Sequence, residues 1–348
     1  PFYQVESRII LKPYRSAELC GLFYEHSEDT MKSFTAGPNE NGVRLSRFVE
    51  GVTKDMPRSM MYKAFRNKRI KVNGARAERD CRLREGDRLQ LYLNDEFFEA
   101  PSEENVYLTI INPRLHIIYE DENIMLLDKP AGMVVHADEG EKVNTLVNHM
   151  LAYLYQKREW KPREENAFTP ALCNRIDRNT GGIVIAAKNA EALRVLNEKI
   201  RERELSKFYL CICLGRPEPP KGRIECFLRK DSKTNTVRVY HHPVPDGRSA
   251  VTLYETLETR DRLSLVEVEL LTGRTHQIRA SFADMGHPLL GDGKYGVGSV
   301  NRRYGETQQA LYSYRLRFDF PTDAGILNYL RGREFIADEV PFRRKYFG

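Results

Sequence analysis

The chain has 348 residues, 41% of them hydrophobic, and a net charge of +6. That is enough apolar material for a domain-sized core with a smaller second unit, and the mild basic excess fits nucleic-acid binding without demanding it. No apolar run approaches the ~20 residues of a membrane span, no signal peptide opens the chain, and the six cysteines lack paired metal-ligand spacing, so a soluble cytoplasmic protein is expected.

Residues 1–30 match no domain pattern and read as an N-terminal extension of unknown role. Over 31–97 the signals are those of a compact module. Residues 44–49 have helical apolar spacing, Pro57 opens a second helix, and 70–72 read as a strand entering an Asn73-Gly74 hairpin turn. The Gly86-Asp87 turn then leads into alternating Leu89, Leu91 and Leu93, and basic side chains crowd 58–88 and again 201–207. Residues 98–113, partly acidic and containing Pro101 and Pro113, read as a linker. From 114 to 348 short alternating segments dominate, at 117–119, 124–127, 183–187, 209–214, 251–254 and 265–270. Helical spacing is confined to 143–155, 190–203 and 274–285. Many strands and few helices, without regular alternation, predict an α+β domain on a mixed, mainly antiparallel sheet flanked by helices. Cys211 and Cys213 alternate on one strand, as two core thiols facing the same way.

Within this domain, residues 174–188 read NRIDRNTGGIVIAAK. Asp177 lies beside Arg175 and Arg178, and Thr180, Gly181 and Gly182 turn the chain into an apolar strand. A carboxylate kept ionised while partly desolvated needs cationic neighbours, because burial alone raises its pKa. Read alone, the cluster is an ordinary surface ion pair before a core strand. Three further segments change that reading. They are DKPAGMVVH at 128–136, Lys207-Phe208-Tyr209 running to Gly215, and TGRTHQIR at 272–279 followed by Gly286-His287-Pro288 and Gly291-Asp292-Gly293-Lys294-Tyr295. Taken in chain order, the four segments resemble motif I (128–136), motif II (174–188), the K-x-Y strand and motif III of the RluA family of pseudouridine synthases. Two positions depart from the family pattern: Asn174 stands where histidine is usual, and Gly181 where serine is.

The resemblance implies isomerisation of uridine in RNA, a redox-neutral reaction that needs neither metal nor cofactor. Asp177 falls on the family's essential aspartate, which either attacks C1′ or removes a sugar proton; the residues leave both routes open. Arg279 falls on the arginine that pairs with it, and Tyr209 on the tyrosine that stacks against the uracil. Arg175 falls on the arginine that fills the gap left by the extruded base, with Arg178 beside it as an RNA contact. Ile278 and Thr275 fall on the base pocket. Without the motifs, Tyr209 and Ile278 would be packing residues and Arg175 a phosphate clamp.

The first module is similar to an S4 domain, with Ser46 and Pro57 as departures from its pattern. That likeness implies a basic face of Arg58, Lys63, Arg66, Lys68 and Lys71 set against phosphates, although any one of these lysines taken singly is an ordinary solvated side chain. Structured RNA is the implied partner: large-subunit ribosomal RNA by analogy with S4-bearing members, tRNA as the nearest rival. A non-catalytic RNA-binding or ribosome-assembly protein is a reading from another class, against which the set Asp177, Arg279 and Tyr209 argues, since binding alone needs no buried acid. A nucleoside hydrolase is a third, and would release free uracil.

Overall fold

The computed structural model describes residues 31–53, 56–98, 102–162 and 166–348. The extension expected over 1–30 lies outside the described residues. Two sheets organise the rest. In the N-terminal unit, strands β1 (Met31–Thr35), β2 (Ile70–Val72), β3 (Ala75–Arg76) and β4 (Arg88–Tyr92) form a sheet in the order β1-β4-β2-β3. Helix α1 (Leu45–Val52) buries Leu45, Phe48, Val49 and Val52, the i, i+3, i+4, i+7 stripe of one helical face, and α2 (Arg58–Arg66) buries Met61, Ala64 and Phe65. Both close on Leu89, Leu91 and Leu93. The Asp87 carboxylate holds the turn before β4, accepting from Arg84 N at 2.7 Å and Asn73 Nδ2 at 2.9 Å.

The larger unit carries β5 (Ile117–Glu120), β6 (Ile124–Lys129), β7 (Ala171–Leu172), β8 (Gly181–Ala187), β9 (Leu205–Leu214), β10 (Lys221–Asp231), β11 (Thr236–Tyr240), β12 (Arg248–Arg260), β13 (Leu263–Leu270), β14 (Leu311–Phe318) and β15 (Glu334–Ile336). Its main path runs β11-β10-β12-β13-β9-β14-β8-β6-β5, with β7 beside β8 and β15 beside β14. Among the strands of the described residues only β8 and β14 pair in parallel, so the mixed, mainly antiparallel α+β sheet is as expected. Strands β6 and β8 read as unbroken apolar runs because both faces are covered. Ile124, Leu126, Ile183 and Ile185 face α4 (Ala190–Arg201), through Ala192 and Leu196. Met125, Leu127, Val184 and Ala186 face α3 (Leu146–Gln156), through Leu146, Met150 and Leu154. Cys211 and Cys213 are both buried in one cluster, as their alternation predicts.

Helix ends differ from the periodic segments for stated reasons. Thr145 caps α3 by accepting from Asn148 N at 3.2 Å, and Asn189 caps α4 by accepting from Ala192 N at 2.8 Å. Helix α5 starts at Gln277 and ends at Asp284, not at 274, because His276 takes a left-handed φ of 52°. The expected linker is packed in its second half: Tyr107 and Ile110 are buried against α3, and Gln156 Nε2 donates to the carbonyls of Ile110 and Ile111, each at 3.0 Å. The two units also touch directly. Asn39 Oδ1 accepts from Ala190 N at 3.0 Å, and Asn166 Nδ2 donates to Thr35 O at 2.8 Å. Among the described residues, no helix is long and apolar enough to cross a membrane.

Candidate active site

Asp177 sits in the short segment between β7 and β8, and backbone demands fix where it points. Cys173 N bonds Ile185 O at 2.7 Å, and Asn174 Oδ1 accepts from Ile185 N at 2.8 Å, so the asparagine extends the ladder by one side-chain bond. Thr180 N then bonds Asp177 O at 3.0 Å to close the turn. Gly182 has φ 109° and a side chain there would collide with the Ser313 backbone, whereas one at Gly181 would collide with the Tyr312 ring. The glycine pair is what lets β14 approach β8 in parallel. On the other side, the buried Lys129 ammonium donates to the carbonyls of Pro130 (3.0 Å), Met133 (2.8 Å) and Arg178 (2.9 Å), tying the 130–133 turn to the segment bearing Asp177. Burial pulls the Lys129 pKa down to about 7, against the opposing pull of the Asp177 and Asp128 charges.

The opposing wall comes from α5 and the loop after it. Gln277 is buried and shapes the turn before the helix: its Oε1 accepts from Thr272 Oγ1 (2.9 Å) and Arg274 N (3.0 Å), and its Nε2 donates to Val251 O (3.1 Å) and Thr252 Oγ1 (2.9 Å). Two residues on, Arg279 forms a double clamp. Its Nε and Nη2 donate to the two oxygens of Asp292 at 2.7 and 2.9 Å, and its Nη1 donates to Asp177 Oδ2 at 2.8 Å. Burial works against the Arg279 charge, but these bonds to Asp292 and Asp177 outweigh it and raise the pKa. For Asp292 the balance is the same in mirror image: burial opposes ionisation, and Arg279 together with the Lys294 and Tyr295 amides holds the carboxyl low. The guanidinium is therefore immobilised by an acid that faces away from solvent, and presents one N–H to an acid that faces a cleft. Among the described residues Asp177 Oδ1 receives no hydrogen bond, which leaves it as the oxygen available to a substrate.

That cleft, of about 1120 Å³, is lined by eight arginines and lysines against Asp138 and Asp177. Tyr209 and Ile278 line it with 6% and 3% of their surface exposed, Tyr209 from β9 and Ile278 from α5. Burial raises the Tyr209 hydroxyl pKa to about 12, so it stays neutral. Thr275 is exposed on the wall. Arg175 is exposed at the cleft and, among the described residues, has no hydrogen-bond or ion-pair partner; Arg178 differs, donating to both oxygens of Asp138 at 2.9 and 2.7 Å. Arg58, Lys63, Arg66 and Lys68 are exposed on the N-terminal unit, outside the cleft, while Lys71 is half-buried with its ammonium over the Tyr92 ring. The cleft also gathers Arg201, Arg203, Lys207, Arg274 and Lys294. The basic run at 201–207 was the signal for the first three. Asp292 and His276 lay inside matched motifs, but nothing in a one-dimensional pattern states which charge faces which.

A family model for RNA pseudouridylate synthase matches residues 123–284. The chain is 33% identical over 291 residues to an uncharacterized RNA pseudouridine synthase of Aquifex aeolicus, covering 80% of this chain and 86% of that one. It is 30% identical to the ribosomal large subunit pseudouridine synthase C of Vibrio parahaemolyticus, covering 81% and 86%. Human RNA pseudouridylate synthase domain containing 4 shares the fold, with a TM-score of 0.50 at 20% identity over 65% of this chain and 89% of that one. With a third of its residues shared across most of both lengths, and with an acid clamped at the mouth of a basic cleft, the chain belongs to the family of RNA pseudouridine synthases, isomerases that modify uridine in RNA.

Proposed function

We propose that this enzyme isomerises specific uridines of large-subunit ribosomal RNA, with Asp177 as the reacting carboxylate. The observation that carries the reading is the unequal environment of its two oxygens in a residue that lines the cleft: Oδ2 is held by Arg279 at 2.8 Å, and among the described residues Oδ1 receives no hydrogen bond. In this reaction the C1′–N1 bond breaks, the base turns, C1′ bonds to C5, and the proton displaced from C5 is balanced by one gained at N1. An ionised, oriented carboxylate serves either attack on C1′ or removal of a sugar proton. Tyr209 offers a flat face to a base that detaches and rotates, since stacking imposes no single hydrogen-bond register. Ile278 and Thr275 line the same pocket, and the unpaired Arg175 fills the gap left by extrusion, which costs a few kcal/mol. Arg178 orders the neighbouring loop through Asp138 while keeping one face toward RNA.

The ribosomal assignment is supported by relatives in two Vibrio species named ribosomal large subunit pseudouridine synthase C. We further read the N-terminal unit as an S4-type RNA-binding domain, its exposed cations on α2 and beyond it meeting phosphates. Pseudouridine mapping of total RNA from cells with and without the gene tests substrate class and position together; signal lost from tRNA alone would overturn the ribosomal reading. Asp177→Asn is expected to abolish isomerisation and to leave RNA affinity within about twofold. Turnover by that variant near the wild-type rate would remove Asp177 from its role.

A further inference from the structure

His276 is held in an unusual way for a residue with no assigned task. It takes a left-handed φ of 52° immediately before α5, and its side chain is 8% exposed beside Asp177. A non-glycine residue in that conformation carries strain that the surroundings must offset. Its Nδ1 lies 2.8 Å from Tyr295 Oη, and Tyr295 Oη accepts from Val237 N at 2.7 Å. A tyrosine hydroxyl has one proton to give, and among the described residues Nδ1 is the acceptor within reach that needs it. The proton therefore goes to Nδ1, and the imidazole carries its own proton on Nε2. Nε2 faces Asp177 Oδ2 across 3.8 Å, too far for a hydrogen bond, and has no other partner among the described residues. A fixed N–H thus lies in the cleft wall next to the reacting acid, and nothing among the described residues receives it.

We propose that His276 is a further catalytic residue, a neutral hydrogen-bond donor whose Nε2–H is received by a carbonyl oxygen of the target uracil as the base departs. The inference rests on the reading of Asp177 as the reacting carboxylate. By either route the C1′–N1 electron pair leaves with the uracil, and the negative charge spreads onto N1 and the carbonyl oxygens. A donor already oriented there stabilises that charge more than the neutral ground state, without transferring a proton. Burial keeps the imidazole uncharged, lowering its pKa to about 4, with Asp177 opposing and Arg279 and Lys294 assisting. Tyr295 supplies the orientation, and is itself anchored through its amide to Asp292.

Single-turnover kinetics on a large-subunit rRNA transcript tritiated at uracil C5, with RNA affinity measured in parallel, test this. His276→Ala should lower the rate about 10²-fold at unchanged affinity, with partial rescue in His276→Gln. The penalty should shrink on a transcript bearing 5-fluorouridine, followed by loss of the starting nucleoside, because the fluorine itself stabilises the departing base. An equal penalty on both bases would make His276 an orienter of Asp177 and overturn the proposal. So would a loss confined to affinity. Nitrogen NMR of the full-length wild-type enzyme gives a readout that needs no altered fold: Nε2 protonated and Nδ1 bare is expected, and the reverse tautomer overturns it. Asp177→Asn run alongside separates the two readings, since its activity reports on the carboxylate irrespective of His276.

Discussion

Arg58 and Arg279 are the same side chain used in two physical regimes. In the N-terminal unit, Arg58 is 80% exposed and stands 3.6 Å from Glu50, a pair that water and salt screen. In the cleft, the Arg279 side chain is 6% exposed and makes three short charge-assisted bonds. An exposed pair contributes about 0–1 kcal/mol and exchanges its partner freely, which would suit the phosphate-meeting surface proposed above. A buried one is strongly destabilised when a partner is lost, which suits a group meant to hold an acid in one place. One region trades strength for exchange; the other trades exchange for geometry.

The largest effect expected from breaking this contrast is at Asp292. Asp292→Ala removes two of the three bonds of Arg279 and leaves a buried cation short of its counter-ion, for a loss of about 3–5 kcal/mol. Denaturant unfolding measures this; a midpoint close to wild type at equal slope would mean that the clamp relaxes into water. Isomerisation should fall with it, because the group that fixes Asp177 Oδ2 is then loose.

A second effect, on the order of 3 kcal/mol, is read from pH. His276 is lowered by burial from 6.5 to about 4, so between those values the unfolded chain binds more protons than the folded one. Stability then rises with pH through this window, and is lost as pH falls from about 6.5 toward 4. His276→Gln should flatten melting temperature against pH in that range. Burial also lowers His136 and His149, so a residual slope is expected, and an unflattened curve would mean that these two carry it.

The smallest effect lies on the exposed side of the comparison. Lys63→Ala and Arg66→Ala should each change stability by less than about 0.5 kcal/mol and reduce the slope of log affinity against log salt by about 0.9. Affinity titrations at several salt concentrations check this. An unchanged slope with a lowered melting temperature would make the unit a structural support for α4, which it touches through Asn39.

The same contrast explains what could be seen in one dimension. Segments whose identity is local were legible: the α1 stripe, the apolar runs of β6 and β8, and the turn around Asp177. The ion pair of Asp177 with Arg279 spans 102 residues and was accessible only because both fell inside recognisable motifs. Strand β10 was missed because its many charged and exposed residues resemble a loop, and short β11 with it; ladder pairing at and next to the sheet edge, not burial, makes them strands. The 98–113 segment read as a linker because its acids and prolines outweigh Tyr107 and Ile110, whose burial depends on α3 lying nearby.

Gly181 and Tyr312 have a consequence of a different kind, for ancestry. The aromatic ring occupies the space in which a side chain at 181 would stand, and its hydroxyl donates to Asp128 at 2.6 Å. Serine at 181, the residue usual in the resembling family, is therefore incompatible with tyrosine at 312. A route between the two states that avoids the clash passes through glycine at 181 before the ring is acquired, since the opposite order puts two side chains in one volume. Tyrosine placed alone at 312 in a relative with serine at 181 should therefore fail where it succeeds together with glycine at 181, whereas glycine alone should be tolerated.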